Sequence, residues 1–555
     1  MGYSKLTRTL KSIQGSRKDF ESILDKLLKQ HIQLFSRPGT SPFPAIPWKQ
    51  NSPTSKEALK AITRGKVFLP LAYLQAYVDP LLEHLPTFLT RCPDRYYEPL
   101  LGAIYNHADT SLQYPLRQFS AVLSNFYRSF LDARRRANVD FPSVAQLPPL
   151  AVFLSREPEE GIFSGEFGPF SIPVNQIRSL FGGTVGVIVL PSTYAFHPLL
   201  WSVLAHEVGG HDMLHADKTL LPEMEDLAKQ CFDSGPGQYL LKSQKLKHGQ
   251  KELIGQLWSY WIEEAAADVL AVLNVGPSYG FSLAIFMGLL SRHITEYLNR
   301  LHIPYQPPSL IRLSSGTPKV TDPEAVQTGS NPNRADVDHH PVDILRLYVT
   351  LGAIEGLNAY SPDLIKQYAT TLEQLIEICS EGGGDSIGVH GWLPVQGEKW
   401  RRIDEELDFG VMRDSARLMG RLIGNTKFQA FNNHSFQDLE TWDDHDEETA
   451  ESIWTILAQN QQEGVRDMGD DAHLLAGATL AFLEKHGWYK SISNRLGQAL
   501  ENSFDRDAYW GVLGAEPAVS WSPDPYNKKI LNFIQKKKAE VTRKKKPVQK
   551  IRSRK

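Results

Sequence analysis

Apolar positions recur at helical spacing along most of the chain and switch to another rhythm in one short stretch. Helices broken by proline are predicted at residues 56–63, 69–85 and 111–138. The last carries Leu112, Leu116, Phe119, Leu123, Phe126 and Phe130 on one stripe, which reads as core. Residues 150–154, 170–174 and 185–190 are brief β-favouring runs bounded by Gly and Pro, so a small sheet is predicted between residues 148 and 191. A helix should start at Pro198, well suited to a first turn, and another should cover 251–273. Residues 304–338 are rich in Pro, Ser, Gly and Asn and read as a long connection. Helices return at 341–357, 361–379, 447–460 and 470–485, with Ser361-Pro362 as cap and first residue of the second and Gly382 as its stop.

The expected fold is therefore mainly α, with a small β-sheet before the helix that carries the chemistry. The expected regions are 1–147 (helical), 148–303 (core), 304–338 (loop), 339–526 (helical) and 527–555 (basic tail). Apolar residues at 41% and charged residues at 22% are ordinary for a globular chain and exclude a largely disordered one. Cys92, Cys231 and Cys379 are too few and too far apart for a disulfide framework or a cysteine metal site. With no secretory signal pattern or membrane-spanning run, the reading is a cytoplasmic protein without a membrane partner. Residues 528–555 hold thirteen Lys or Arg and one Glu, although the whole chain carries a net charge of −3. The tail reads as a solvated extension, and the acidic remainder argues against nucleic acid except through that tail.

Candidate chemistry concentrates in residues 201–217, WSVLAHEVGGHDMLHAD. Two histidines on a helix with Glu207 beside the first suit a zinc hydrolase: neutral imidazoles hold the metal, and the carboxylate takes a proton from the water it activates. His206 and His211 are five residues apart, however, which leaves them about 140° apart on a regular α-helix. A single wider π-type turn would bring them together, so α-geometry should fail between Val208 and His211. Gly209 and Gly210 lie where the backbone must deform. A competing pair, His211 and His215, has the ordinary four-residue spacing but places Asp212 where a longer Glu is wanted. The stretch 258–273, WSYWIEEAAADVLAVL, supplies Glu264 as a third ligand and Asp268 one turn on to orient a ligating histidine. Its alanines should let the two helices approach closely.

These two segments, His-Glu-x-x-Gly-His and Glu-Glu-x-x-Ala-Asp, resemble the paired signatures of the dipeptidyl peptidase III zinc metallopeptidases. The resemblance spans about 70 residues. It implies His206, His211 and Glu264 as zinc ligands, Glu207 as general base, Asp268 as their support and a peptide or protein substrate, within a core of the Glu-ligated zinc peptidase type. His339-His340-Pro341-Val342-Asp343-Ile344-Leu345-Arg346 is a fainter echo of a further family element, and it implies His340 as the group that steadies the oxyanion. Tyr194, Tyr260 and Tyr279 are alternatives for that role. Upstream the chain departs from the family, because helical patterns stand where the family carries a β-rich lobe that binds the substrate's amino end. Other readings remain on the same residues: a zinc enzyme acting on a non-peptide bond, or a scaffold with structural zinc.

The remaining motifs promise less. Gly384-x-Ser386-x-Gly388 spells a serine-hydrolase elbow but follows a helical pattern instead of a strand. His434, His445, His473 and His486 stand in polar surroundings and read as surface residues.

Overall fold

The structure, a computed structural model, describes residues 18, 20–27, 67–92, 94–108, 113–136, 147–154, 168–215, 217–242, 246, 249–300, 336–381, 383–395, 399–459, 469–507 and 510. The predicted helix at 56–63, the loop at 304–335, the stop at Gly382 and the basic tail lie outside these residues. Among the described residues the chain is mainly helical with a small sheet, and no helix is long and apolar enough to cross a membrane.

The sheet has three strands: β1 (Leu150–Leu154), β2 (Phe170–Ile172) and β3 (Val187–Pro191), in the order β1-β3-β2. β1 runs parallel to β3 and β2 antiparallel to it. Side chains alternate across a strand, so β1 and β3 can be apolar throughout only if both faces are covered. They are. Leu150, Val152, Leu154, Val187 and Val189 face one apolar core, packed by the helix Asp94–Asn106. Ala151, Phe153, Ile188 and Leu190 face a larger one, packed by Gln113–Arg136. Phe119 of that helix touches both Phe153 and Trp201, which ties the sheet to the segment that carries the histidines.

β3 delivers the chain into that segment through two short 3₁₀ turns, Ser192–Tyr194 and Pro198–Val203. The backbone then widens into a π-helix over His206–Asp212, the departure from α-geometry that the five-residue histidine interval predicts. The reason for the glycines differs from the one expected. Neither Gly209 nor Gly210 has a positive φ. They are small because a helix lies on them: a Cβ at Gly210 would stand 2.4 Å from the Ala267 Cβ, and one at Gly209 would stand 2.8 Å from Asn274 Nδ2. The alanine run does permit close approach, and glycine on the facing surface completes it.

Two predicted elements are corrected. The helix expected at 251–273 is two helices, Gln250–Tyr260 and Ile262–Val275, with a break at Trp261. The Trp261 indole donates to the Asp338 carbonyl at 2.9 Å and the Tyr260 hydroxyl to the Val337 carbonyl at 3.1 Å, so the break anchors residues 336–340. Second, the largely helical reading after 341 misses a hairpin, β4 (Ser386–Val395) and β5 (Lys399–Asp408). Ile387, Val389, Leu393, Ile403 and Leu407 alternate inward, a period-two signal hidden by polar partners. Ser386 therefore opens a strand instead of ending one, and its hydroxyl donates to Glu406. That is no nucleophile elbow.

Replacing Gly210 with Val should force the π segment and the Ile262–Val275 helix apart. The expected cost is about 1–3 kcal/mol, read as a lower denaturation midpoint with unchanged slope. An unchanged midpoint would mean that the two helices are not held as tightly as described.

Candidate metal centre

Four elements meet at the site, the π segment and three helices behind it. His206 and His211 come from the π-helix, Glu263, Glu264 and Asp268 from Ile262–Val275, Tyr279 from Ser278–Arg300, and Arg346 from Asp343–Glu355. Asp268 has no exposure, and Glu264 has 5%. Such carboxylates are stable inside a protein only when positive charge or hydrogen-bond donors meet them.

Asp268 is satisfied completely. Arg346 Nε donates to its Oδ2 and Nη2 to its Oδ1, both at 2.8 Å. Tyr279 Oη and His206 Nδ1 also reach Oδ1, each at 2.9 Å. Burial alone would raise the Asp268 carboxyl, but the charges of Arg346 and His206 and their hydrogen bonds hold it at about 2. An ionised carboxylate cannot donate, so the His206 nitrogen facing it carries the proton. His211 repeats the arrangement, its Nδ1 donating to Glu263 Oε1 at 2.8 Å, and His215 Nε2 meets the same oxygen at 2.8 Å. Burial works against the charge on Glu263, yet the two histidines hold its carboxyl well below the usual range.

Both candidate ligand histidines are thus turned the same way, with Nε2 toward Glu264. His206 Nε2 lies 3.3 Å from Glu264 Oε2, and His211 Nε2 lies 3.4 Å from Oε1. The rings stand edge to face, 4.9 Å between centroids. Glu264 Oε2 is buried and accepts no hydrogen bond, although His206 Nε2 is so near. With the ring proton on Nδ1, two lone pairs face each other, and the Arg346 guanidinium stands beside them, Nη2 at 3.4 Å from His206 Nε2 and Nη1 at 3.8 Å from Glu264 Oε2. A cation between them resolves that conflict, and two imidazole nitrogens with a carboxylate are a donor set suited to a divalent transition metal. The ligand atoms of His206, His211 and Glu264 all lie within 4.8 Å of one another. These residues fit a metal.

Protons are the other cations the cluster can hold. Burial and Arg346 lower the His206 pKa, but Asp268 and Glu264 outweigh them and raise it above the ordinary value. Burial likewise opposes charge on His211, where Glu264 and Glu263 raise the pKa well above it.

The competing His211/His215 pair converges on the Glu263 Oε1 oxygen, but among the described residues it forms no group of three close ligand atoms. His215 is occupied with Glu263, and Asp212 turns toward the sheet, its Oδ2 lying 2.9 Å from where a Gly186 Cβ would be. Burial raises the Asp212 carboxyl to about 7. Glu207 is buried in the π-helix between His206 and His211, and its charge helps raise the His211 pKa. His340 stands at the rim with its side chain 41% exposed. Its Nδ1 donates to Asp338 Oδ1 at 3.0 Å, and its Nε2 lies 3.5 Å from Glu264 Oε1. The tyrosine alternatives do not serve as expected: Tyr279 is committed to Asp268, Tyr260 to the Val337 carbonyl, and Tyr194 is buried against Phe286. His473 is also corrected. It is no surface residue but lies between Asp446 (3.0 Å) and Asp470 (2.7 Å), which raise its pKa to about 9 against the effect of burial.

Sequence reasoning missed Arg346 as the partner of Asp268 and Glu263 as the brace for His211. An arginine inside the apolar run Ile344–Leu351 is a signal that some carboxylate must meet it, but it does not say which. Compared with known proteins, the chain matches no family model, no curated sequence and no solved structure.

Two outcomes follow from this geometry. His206→Ala, His211→Ala and Glu264→Ala should each abolish the tightest metal site, whereas His215→Ala, which removes only a contact to Glu263, should weaken it by no more than about 10-fold. Metal content after dialysis reads this directly, and loss in His215→Ala with retention in His206→Ala would reverse the ligand assignment. The second concerns pH. In the metal-free protein the raised histidines contribute stability that is fully present below the ordinary histidine value of about 6.5 and is lost as pH rises through their raised values. Metal needs neutral rings, so its contribution grows in the opposite sense. The rise in melting temperature on adding zinc should be larger near about pH 8 than near about pH 6; an equal rise would mean that these histidines do not bind it.

Proposed function

We propose that this protein is a zinc-dependent hydrolase of the metallopeptidase type, cleaving peptide bonds, with a catalytic core of the Glu-ligated zinc peptidase kind. The observation that carries this reading is the orientation of His206 and His211. Each Nδ1 is tied to a carboxylate, and each Nε2 is aimed at the one buried Glu264 oxygen pair. His206, His211 and Glu264 would hold the zinc. When bound, zinc supplies a Lewis acid that polarises a carbonyl and brings the pKa of water toward about 7.

The chain's own residues do the rest. Asp268 and Glu263 keep both rings in the Nδ1–H form, so the lone pairs at Nε2 would be turned toward the metal. Arg346 and Tyr279 keep Asp268 ionised and fixed. Glu207, adjacent to His206 and buried, takes the proton of the attacking water on its carboxylate and returns it to the leaving amine nitrogen. His340, at the rim beside Glu264, would steady the negative charge that develops on the carbonyl oxygen. The likeness to the dipeptidyl peptidase III signatures supports this division of roles. It is not carried over to dipeptide release, because the described residues upstream are mainly helical, whereas the family carries a β-rich lobe that binds the amino end there.

A scaffold with structural zinc is the competing reading, and a structural site is closed by four protein ligands. His340, the nearest candidate for a fourth, groups with Glu264 and His339 and not with His206 and His211. That separation favours catalysis.

Glu207→Gln distinguishes the two readings. It preserves volume and hydrogen bonding but has no basic carboxylate. The variant should fold and bind zinc as the parent does, while hydrolysis of a substrate found in a mixed-peptide screen falls by at least about 100-fold. Equal turnover by the two proteins would sink the mechanism even with the ligands correct.

A further inference from the structure

His340 repeats the geometry of the two ligand histidines. Its Nδ1 donates to a carboxylate, Asp338, and its Nε2 faces the Glu264 carboxylate, 3.5 Å from Oε1. The backbone N–H of His340 donates to the same Asp338 oxygen at 3.0 Å. Three imidazoles therefore surround Glu264, each held from behind by its own acid: Asp268, Glu263 and Asp338. With the proton on Nδ1, His340 also turns its Nε2 lone pair toward a Glu264 oxygen.

Two features place this third imidazole outside the first ligand set. The ligand atoms of Glu264, His339 and His340 lie within 4.8 Å of one another as a group of their own, and His340 is not in the group formed by His206, His211 and Glu264. The rings of His339 and His340 lie side by side, 3.9 Å between centroids. Glu264 belongs to both groups. Its Oε2 is turned toward His206 and Arg346, while its Oε1 is 3.4 Å from His211 Nε2 and 3.5 Å from His340 Nε2. A carboxylate shared in this way is how paired metals in hydrolases are held, about 3.5–4 Å apart.

Charge supports a second cation. Glu207, Glu263, Glu264, Asp268 and Asp338 surround the cluster, and among the described residues Arg346 is the guanidinium paired within it. With neutral histidines, one divalent ion leaves this set two charges negative, and a second ion neutralises it. The segment that carries the extra ligands is also built in. Val337 N donates to the Trp392 carbonyl at 2.9 Å, and the Val337 and Asp338 carbonyls accept from Tyr260 and Trp261, immediately before Glu263 and Glu264.

We propose that this protein binds a second divalent transition-metal ion between Glu264, His339 and His340, with Glu264 bridging the two ions. The proposal rests on the first site being a metal site. The second ion sits at the rim, where its charge takes over the electrostatic role given there to His340. Being held by the more exposed histidines, it is the weaker of the two and the first to be lost on dialysis.

The test is metal stoichiometry of the full chain, using zinc by elemental analysis and manganese by electron paramagnetic resonance. Saturated parent protein should hold two ions, and the manganese form should show spin coupling through the shared carboxylate. His340→Ala and, separately, His339→Ala should retain one uncoupled ion, with unchanged circular dichroism. His206→Ala should lose the tight ion. One ion in the parent, still present in both rim variants but lost in His206→Ala, overturns the second site and leaves the first intact. One ion lost equally in His206→Ala and His340→Ala means that His340 closes a single four-ligand site, which overturns the proposal and also removes the case for catalysis. No ion in any protein overturns both sites.

Discussion

Asp268 is a carboxylate with no exposure, set in a helix of alanine, valine and leucine, and its ionised form exists there because four donors from three other elements converge on it. Removing an ion from water costs several kcal/mol, and only close, well-directed partners offset that cost. The Arg346 guanidinium does most of this with two parallel hydrogen bonds, the geometry in which arginine binds carboxylates most strongly. Because Arg346, Tyr279 and His206 arrive on separate helices, meeting Asp268 also sets where those helices stand. His206 is then held in one tautomer and one direction, and the π-helix that carries it must present His211 alongside. The site's geometry descends from a buried charge that had to be matched.

The π-helix and the glycines answer two different demands. The wide turn is needed so that histidines five apart can share a face, whatever packs against it. The glycines are needed because Ala267 and Asn274 press on that turn from the next helix. Close approach brings Glu263, Glu264 and Asp268 within reach of the histidines, so packing and chemistry depend on the same few ångströms. Further out, the break at Trp261 orients the acidic turn and also fastens residues 336–340 over it.

Much of this was legible in the sequence where the cause is local. The run Leu150–Leu154 shows its strand directly, and the interval from His206 to His211 shows that the helix must widen. The pairing of Asp268 with one of the two histidines followed from a one-turn offset to Glu264. What was hidden depends on partners far along the chain. Nothing near Arg346 names Asp268, 78 residues earlier, and nothing near Glu263 shows that His211 and His215 will share its oxygen. The hairpin Ser386–Asp408 was hidden for another reason: Gly391 and a run of charged residues dilute its alternation until it resembles a loop between helices. The role of the glycines was misread for a related reason, since close packing and backbone deformation ask for the same residue.

Anomalous diffraction at the zinc edge, from crystals grown with the metal, tests the central claim most directly. The account predicts a strong peak about 2.0–2.2 Å from His206 Nε2, His211 Nε2 and a Glu264 carboxylate oxygen. A peak that bypasses His206 to sit between His215 and Glu263, or no peak near Glu264, would contradict it.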